Sequence, residues 1–421
     1  MNYPDSVRFL YSLGNEIKTA KFGLETITAL LGALGNPQSA RRFVHVAGTN
    51  GKGSTCAMLE AALRASGLRT GLYTSPHLEK PEERVRIGGD AVTEESFAEA
   101  LNRVHAAAEA LIRDGRIERH PTYFETVTAM AFVLFRQAPV DIAVLETGLG
   151  GRLDATNVVT PAVSVITRVD FDHEALLGRS LEAIASEKAG ILKPGVPAVF
   201  SPQRPEAGAV LRGRASALGC PVTGAEEWTI EDCRQDAHGS RFTARRGKEV
   251  VRVRCPLPGD HQVENAVTAV AALRVLDIPG GAIEAGIASV RWPGRLETVS
   301  TRPEIILDGA HNPSGARALV DFIRRFYCDR KVTLIYGAMR DKAVAEMASI
   351  LFPAAASVIV TAPAQERATR PETILGLAGH PDIRIAGSVK EALDQVRGAG
   401  PEEAVFITGS LFVVAEARRL I

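Results

Sequence analysis

The first residues able to do chemistry are Gly48-Thr49-Asn50-Gly51-Lys52-Gly53-Ser54-Thr55. Glycines let successive backbone N–H groups point into one concavity, a lysine adds positive charge, and a hydroxyl adds an oxygen ligand for Mg²⁺. Apolar Phe43, Val44 and Val46 precede the stretch, and the periodic run Ala57–Leu63 follows it. Strand, glycine loop and helix are the context that phosphate binding needs. Two positions depart from the pattern G-x-x-x-x-G-K-[ST]: Val46 stands at the first glycine and Gly53 directly after the lysine. The segment predicts a variant phosphate loop for ATP, with Lys52 on the terminal phosphates and Ser54 or Thr55 toward Mg²⁺. A glycine turn carrying a solvated lysine is the competing reading.

Further candidates stand at the ends of apolar runs. Val140–Leu145 and Ala162–Ile166 read as buried strands, and in open α/β sheets ligands bind beyond the carboxyl ends of strands. Glu146 closes the first run, either as a metal ligand opposite the phosphate loop or as a cap on the loop that follows. Asp170, Asp172 and His173 follow the second. His173 alone reads as a core histidine, and beside two aspartates as a metal ligand equally well. Lys188, on a short helix from Ser180 to Gly190, reads from spacing alone as a surface lysine. Asn265 fits an adenine edge or an ordinary helix position. Arg295 fits a phosphate clamp across a cleft or a solvated linker. Asp308 ends the strand Glu304–Leu307, where it can bind ribose hydroxyls, and Pro313 opens a helix just after it.

The elements that must position these groups fit a chain of 421 residues with two domains. Strands alternate with helices, which predicts parallel sheets covered by helices. Arg241–Arg245 and Val250–Cys255 alternate instead like exposed antiparallel strands, a smaller extension on the first domain. Pro-Gly punctuation in Arg291–Glu297 sets the boundary, giving domains 1–294 and 295–421. The second shows Glu304–Leu307, Val332–Tyr336, Ser357–Thr361, Ile383–Ala386 and Ala404–Thr408 as strands, with helices at Ser314–Phe326 and Val389–Arg397. It is a small Rossmann-like unit without the nicotinamide signature. The 49 basic and 49 acidic residues balance, which gives no electrostatic case for nucleic acid or an anionic membrane. Five scattered cysteines argue against a disulfide framework or a zinc site, and Cys56 reads as a small buried thiol. No run reaches membrane-spanning length and no signal peptide is evident, so a cytoplasmic enzyme is expected.

In order along the chain, Lys21–Glu25, Gly48–Ser54, Thr74–Leu78, Thr122–Glu125, Glu146–Asn157, Asp172-His173, Ser186–Ile191, Arg295–Glu297, Asp308–Pro313 and Thr408–Leu411 resemble the folylpolyglutamate synthase and dihydrofolate synthase family. These are Mur-ligase-like, ATP-dependent amide ligases, and Gly53 after the lysine is the family's own variant of the loop. The resemblance implies an α/β fold with an N-terminal phosphate-loop domain and a Rossmann-like C-terminal domain that closes over the nucleotide and binds L-glutamate. It implies that ATP phosphorylates a carboxylate and that the glutamate amine attacks the acyl phosphate. Phosphoryl transfer needs positioning and positive charge more than a protein nucleophile.

By that resemblance the nucleotide is held by Gly48, Asn50, Gly51, Lys52, Gly53, Ser54, Thr55, Asn265, Arg295 and Asp308. Ser54, Ser75 and Glu146 hold one Mg²⁺, and His173 and Lys188 a second. An ammonium has no lone pair for a metal, so the resemblance implies a carbamylated Lys188. His311 matches a family residue near the phosphates and joins Lys52, His173 and Lys188 as the catalytic set. Phe124 matches the aromatic on which a pterin packs, with Thr122, Tyr123, Glu125, Leu153, Asp154 and Ala155 around it and Phe22, Gly23 and Leu24 covering the site. Core packing is the alternative for Phe124.

The acceptor is dihydropteroate as well as reduced folates, or folates alone, with the bifunctional form favoured. A need for a monovalent cation stays open, and a monomer is implied. A muramyl-peptide synthetase shares the ATP machinery, but only about 42 residues precede the loop strand, too few for a sugar-nucleotide domain. A non-catalytic nucleotide-binding regulator is the rival from outside the ligases, and Lys52, Glu146, His173 and Lys188 are all retained.

Overall fold

The computed structural model describes residues 1–14, 23–377 and 379–421. Its largest sheet is built from β1 (Arg42–Ala47), β2 (Thr70–Tyr73), β3 (Val85–Ile87), β4 (Asp90–Ala91), β5 (Ile142–Glu146), β6 (Val163–Ile166), β7 (Ala198–Phe200) and β8 (Val222–Gly224), in the order β4-β3-β2-β5-β1-β6-β7-β8. Strands β2, β5, β1, β6, β7 and β8 run parallel, and β3 and β4 turn back as an antiparallel edge. β1 is buried from Phe43 to Ala47 and β5 throughout, which is why both read as unbroken apolar runs. β1 pairs with β5 on one side and β6 on the other, and the chain leaves it in opposite directions, so a crevice opens past its carboxyl end.

The helices of this half are α1 (Tyr3–Ser12), α2 (Glu25–Ala33), α3 (Lys52–Ala65), α4 (Glu94–Arg113), α5 (Tyr123–Gln137), α6 (Glu174–Leu177), α7 (Leu181–Ala189), α8 (Pro205–Ala217), α9 (Asp260–Val275) and α10 (Gly280–Ala288). α3, α9 and α10 pack on one face of the sheet through Met58, Leu59, Val270 and Ile287, while α4 and α5 form a second core around Phe97, Phe132 and Phe135. Each fully buried side chain of this size contributes roughly 1.5–3 kcal/mol.

The smaller antiparallel extension expected on the first domain is present. β9 (Thr229–Asp236), β10 (Gly239–Arg246) and β11 (Glu249–Cys255) form a sheet of their own, in the order β11-β10-β9. Phe242, Ala244, Val251 and Val253 point into the core shared with α3 and α9, and the alternating arginines face away. A strand with only one apolar face suits a half-exposed antiparallel sheet, not the interior of a parallel one.

The last sheet comprises β12 (Glu297–Thr301), β13 (Glu304–Leu307), β14 (Lys331–Tyr336), β15 (Ser357–Val360), β16 (Ile383–Ile385) and β17 (Glu403–Thr408), in the order β12-β13-β17-β14-β15-β16. It is parallel except for β12, a strand the sequence reading missed because its burial is only partial throughout. α11 (Pro313–Phe326) starts with Pro313 at its first turn and with the Asn312 side chain accepting the Gly315 N–H. No helix among the described residues is long and apolar enough to cross a membrane.

Candidate active site

The phosphate loop connects β1 to α3. Gly51 caps α3 with φ +84°, a left-handed conformation that favours glycine, and Lys52 takes the first helical position. Gly53 has a packing reason: a Cβ there would sit 3.0 Å from the Trp292 indole nitrogen. The residue after the lysine lies under that ring, so the hydroxyl moves one place on, to Ser54. Thr49 donates its N–H to the Arg168 carbonyl (2.9 Å) and its Oγ1 accepts from the Asp170 N–H (3.0 Å), which ties the loop to the end of β6. Lys52 Nζ donates to the Thr49 carbonyl at 3.2 Å. Gln262 Nε2 donates to Ser54 Oγ at 3.2 Å, and Asn265 Nδ2 donates to Gln262 Oε1 at 3.1 Å, so α9 braces the loop. Thr55 is fully buried and does not line the cavity beyond the loop, so Ser54 is the hydroxyl facing it.

Glu146, at the tip of β5, is 5% exposed. Among the described residues its carboxylate takes one hydrogen bond, from the Ser75 N–H at 3.2 Å, and no salt bridge. Burial raises its pKa, opposed by the Lys52 charge. A buried carboxylate without an ion-pair partner among the described residues, lining one cavity with Ser54 and Ser75, is a donor set that fits a hard divalent cation.

Lys188 is not the surface lysine its spacing suggested. It is 3% exposed on α7, and Nζ donates to the Gly48 carbonyl at 2.8 Å. Burial and the nearby Lys52 charge lower its pKa to about 7. An ammonium does not fit a metal, whereas the oxygens of a carbamate do.

Asp172 joins the two halves of the chain. Its Oδ1 lies 2.7 Å from Lys342 Nζ, and its Oδ2 accepts from Asn312 Nδ2 at 3.2 Å with His311 Nε2 at 3.6 Å. Asn312 also donates to Asn50 Oδ1 at 2.9 Å. Burial works to raise the Asp172 pKa, but His311 and Lys342 overcome it and hold the carboxyl well below the usual range. His173 Nε2 lies 3.3 Å from Lys342 Nζ, and burial lowers its pKa to about 4, leaving a neutral imidazole. His311 Nδ1 faces the Gly309 carbonyl at 2.9 Å.

Asp308 accepts N–H groups from Leu296 (3.1 Å) and Ala310 (3.0 Å) and is pushed upward in pKa by burial, with Arg295 opposing. Arg295, Asp308, His311, Asn265, Glu146, Ser75, Asp172, His173, Lys188 and the loop from Gly48 to Ser54 all line one cavity of about 440 Å³. The carboxyl ends of both large sheets contribute to it.

The residues expected around a pterin fall outside that lining. Thr122 and Glu125 form a capping box on α5: Glu125 Oε2 accepts the Thr122 N–H at 2.9 Å, and Thr122 Oγ1 accepts the Glu125 N–H at 3.3 Å. Tyr123 is buried and stacks on Tyr11 at 6.0 Å. Asp154 accepts from the Gly148 N–H (2.8 Å), the Leu149 N–H (2.9 Å) and Thr156, which shapes the loop after Glu146. Ala155 is buried in the core of α5 and Leu153 is half-buried. Phe124 is half-buried and lies over Gly148, where a Cβ would come within 2.6 Å of its ring. Gly148 lines the ATP-side cavity, so the Phe124 ring borders it one residue away. Gly23 and Leu24 precede α2, and Phe22 lies outside the described residues.

Sequence reasoning missed Gln262, Asn312 and Lys342. Asn312 sits inside the Asp308–Pro313 motif and Gln262 three residues before Asn265, but neither has a pattern of its own. Lys342 lies in the loop after β14, and no local signal shows that it reaches Asp172, a partner 170 residues away.

The Mur ligase middle domain model matches residues 46–273, and the Mur ligase, glutamate ligase domain model matches 294–411. The folylpolyglutamate synthase of Lacticaseibacillus casei is 36% identical over 430 residues, covering 100% of this chain and 99% of its own. The dihydrofolate synthase/folylpolyglutamate synthase of Escherichia coli is 36% identical, covering 96% of this chain and 92% of its own. The crystal structure of Mycobacterium tuberculosis folylpolyglutamate synthase complexed with ADP and AMPPCP superposes with a TM-score of 0.92 at 32% identity, over 100% of this chain and 99% of that one.

Proposed function

Because the chain belongs to the folylpolyglutamate synthase/dihydrofolate synthase family of Mur ligases, we propose that it uses ATP to join L-glutamate to the carboxylate of dihydropteroate and of reduced folates. The observation that carries this reading is one cavity lined by the phosphate loop, Glu146, Asp172 and Lys188 from one half and by Asp308 and His311 from the other, with Lys342 paired to Asp172. A carboxylate oxygen is a poor leaving group until it carries phosphate. Transfer of the terminal phosphoryl group of ATP to it gives an acyl phosphate and ADP. The free amine of glutamate then attacks the acyl carbon, the C–O bond to phosphate breaks, and one proton leaves the nitrogen as the amide forms.

The loop N–H groups and Lys52 neutralise the phosphates, whose charge spreads during transfer. Asn265 and Asp308 hold the nucleoside side, and Arg295 faces the phosphates from across the cleft. Ser54, Ser75 and Glu146 would hold one Mg²⁺, and His173 with a carbamylated Lys188 a second; bound there, the ions add positive charge next to the transferring group. Phe124 offers its ring to the pterin at the edge of the cavity. The glutamate arrives from the C-terminal half, residues 295–421, in a monomer that works by closing on residues 1–294.

Lys188 gives a direct check. Its neutral amine attacks CO₂ and releases one proton, forming N-carboxylysine. ¹³C NMR of the chain in ¹³C-bicarbonate should show one carbamate resonance that Lys188→Arg lacks. An identical spectrum from that variant would remove the second metal set.

The reading itself is tested by ADP release with Mg²⁺, ATP and L-glutamate, offering dihydropteroate and tetrahydrofolate separately. Glutamate-dependent release with both is expected. Release with tetrahydrofolate alone would restrict the enzyme to polyglutamylation, and silence with both, from folded protein, would overturn the assignment.

A further inference from the structure

Away from the ATP cavity, His105, Glu109 and His120 bring their ligand atoms within 4.8 Å of one another, and none of the three lines that cavity. His105 and Glu109 stand four residues apart on α4, on one face of the helix. His120 comes from the segment leading into α5. Its Nδ1 lies 3.1 Å from the Pro121 carbonyl, a contact only a protonated Nδ1 can make, so Nε2 carries the lone pair. That is the tautomer of a metal-ligating histidine whose other nitrogen is held by a backbone carbonyl.

The spacing fits as well. His105 Nδ1 and His120 Nε2 are 3.3 Å apart. Two imidazole nitrogens bound to one tetrahedral Zn²⁺ at about 2.0–2.1 Å stand roughly 3.3–3.4 Å apart. Phe9 of α1 packs edge-on against both rings, with centroids at 4.6 and 5.2 Å, and limits their rotation. In the metal-free chain the same two nitrogens can share one hydrogen bond, with His105 Nδ1–H donating. Metal binding at His105 Nδ1 moves that ring's proton to Nε2.

We propose that His105, Glu109 and His120 form a second metal site, of the two-histidine, one-carboxylate type that takes Zn²⁺ or a similar imidazole-preferring cation, with the remaining position open to water. An ion there ties α4 to the segment that opens α5 and carries Phe124, with α1 clamped alongside through Phe9. Its role is to fix the folate-side wall, and it touches none of the reacting atoms.

The test starts with the full chain freed of metal by chelator dialysis and held in excess Mg²⁺, which occupies the ATP-side oxygens. Zn²⁺ is titrated by calorimetry and Co²⁺ by visible absorption, in wild type, His105→Ala, His120→Ala and Glu109→Gln. Glu109 is exposed, so its variant keeps the fold intact. Wild type should bind one equivalent that both histidine variants lose and that Glu109→Gln weakens. Because outer partners alone are worth about 10–100-fold in metal affinity, losing a ligand should cost at least about tenfold. The thermal midpoint should rise with Zn²⁺ in wild type and stay fixed in His105→Ala. Equal Zn²⁺ stoichiometry and affinity in wild type and Glu109→Gln, with a Co²⁺ spectrum unchanged by either histidine substitution, would overturn the site. So would wild type that takes up neither ion.

Discussion

Lys52→Ala should reduce ADP release by about 10²–10³-fold, the scale seen when one preorganised charge-stabilising donor is removed. Lys52 heads α3 at the carboxyl end of β1, and among the described residues its ammonium makes one hydrogen bond, to the Thr49 carbonyl. That bond is intrinsic to the loop and supports no other element, so alanine, a good helix former, should leave the fold unchanged. The prediction is therefore a split: lost turnover with a thermal midpoint and far-UV dichroism near those of wild type. Near-wild-type turnover would show that the phosphates bind elsewhere.

Asp172→Asn should have the second largest effect, and it acts through closure. The Asp172 and Lys342 side chains are 11% and 10% exposed, so the variant leaves a nearly buried ammonium without its counter-charge. Breaking a buried pair by removing one partner costs about 3–5 kcal/mol. Here the cost falls on the closed arrangement, because Lys342, His311 and Asn312 all reach Asp172 from the C-terminal half. A drop in kcat/KM for glutamate of about 10²–10³-fold is expected. Adding Lys342→Met removes the orphaned charge and should recover part of the loss, which a double-mutant cycle measures. Strict additivity of the two substitutions would show that the pair does not couple the halves.

The parts of this molecule that were legible in the sequence share a physical feature: their signal is local. β1, β5 and β13 are buried on both faces, so their apolar runs stand out, and the polar residues directly after them are those at the carboxyl ends of the sheets. Strand β12 and the separate sheet of β9, β10 and β11 are harder, because partial burial and alternation do not say what lies against the apolar face. Lys188 shows the limit most clearly. Its helix was readable from Ser180 to Gly190, but the lysine is buried and bonded to the Gly48 carbonyl of the loop after β1, a contact spanning 140 residues. Thr122, Glu125 and Asp154 show a different gap: their residue types do not say that Thr122 and Glu125 cap α5 or that Asp154 holds the loop after Glu146.

The central claim is that a carboxylate is activated at the junction of the two halves. It is tested most directly with an acceptor whose reacting carboxylate carries ¹⁸O. Turnover with ATP and L-glutamate should return inorganic phosphate bearing one ¹⁸O atom for each amide formed, because the acyl phosphate breaks at the carbon–oxygen bond. Amide product accompanied by unlabelled phosphate would contradict activation by phosphoryl transfer and, with it, the roles given to Lys52 and Glu146.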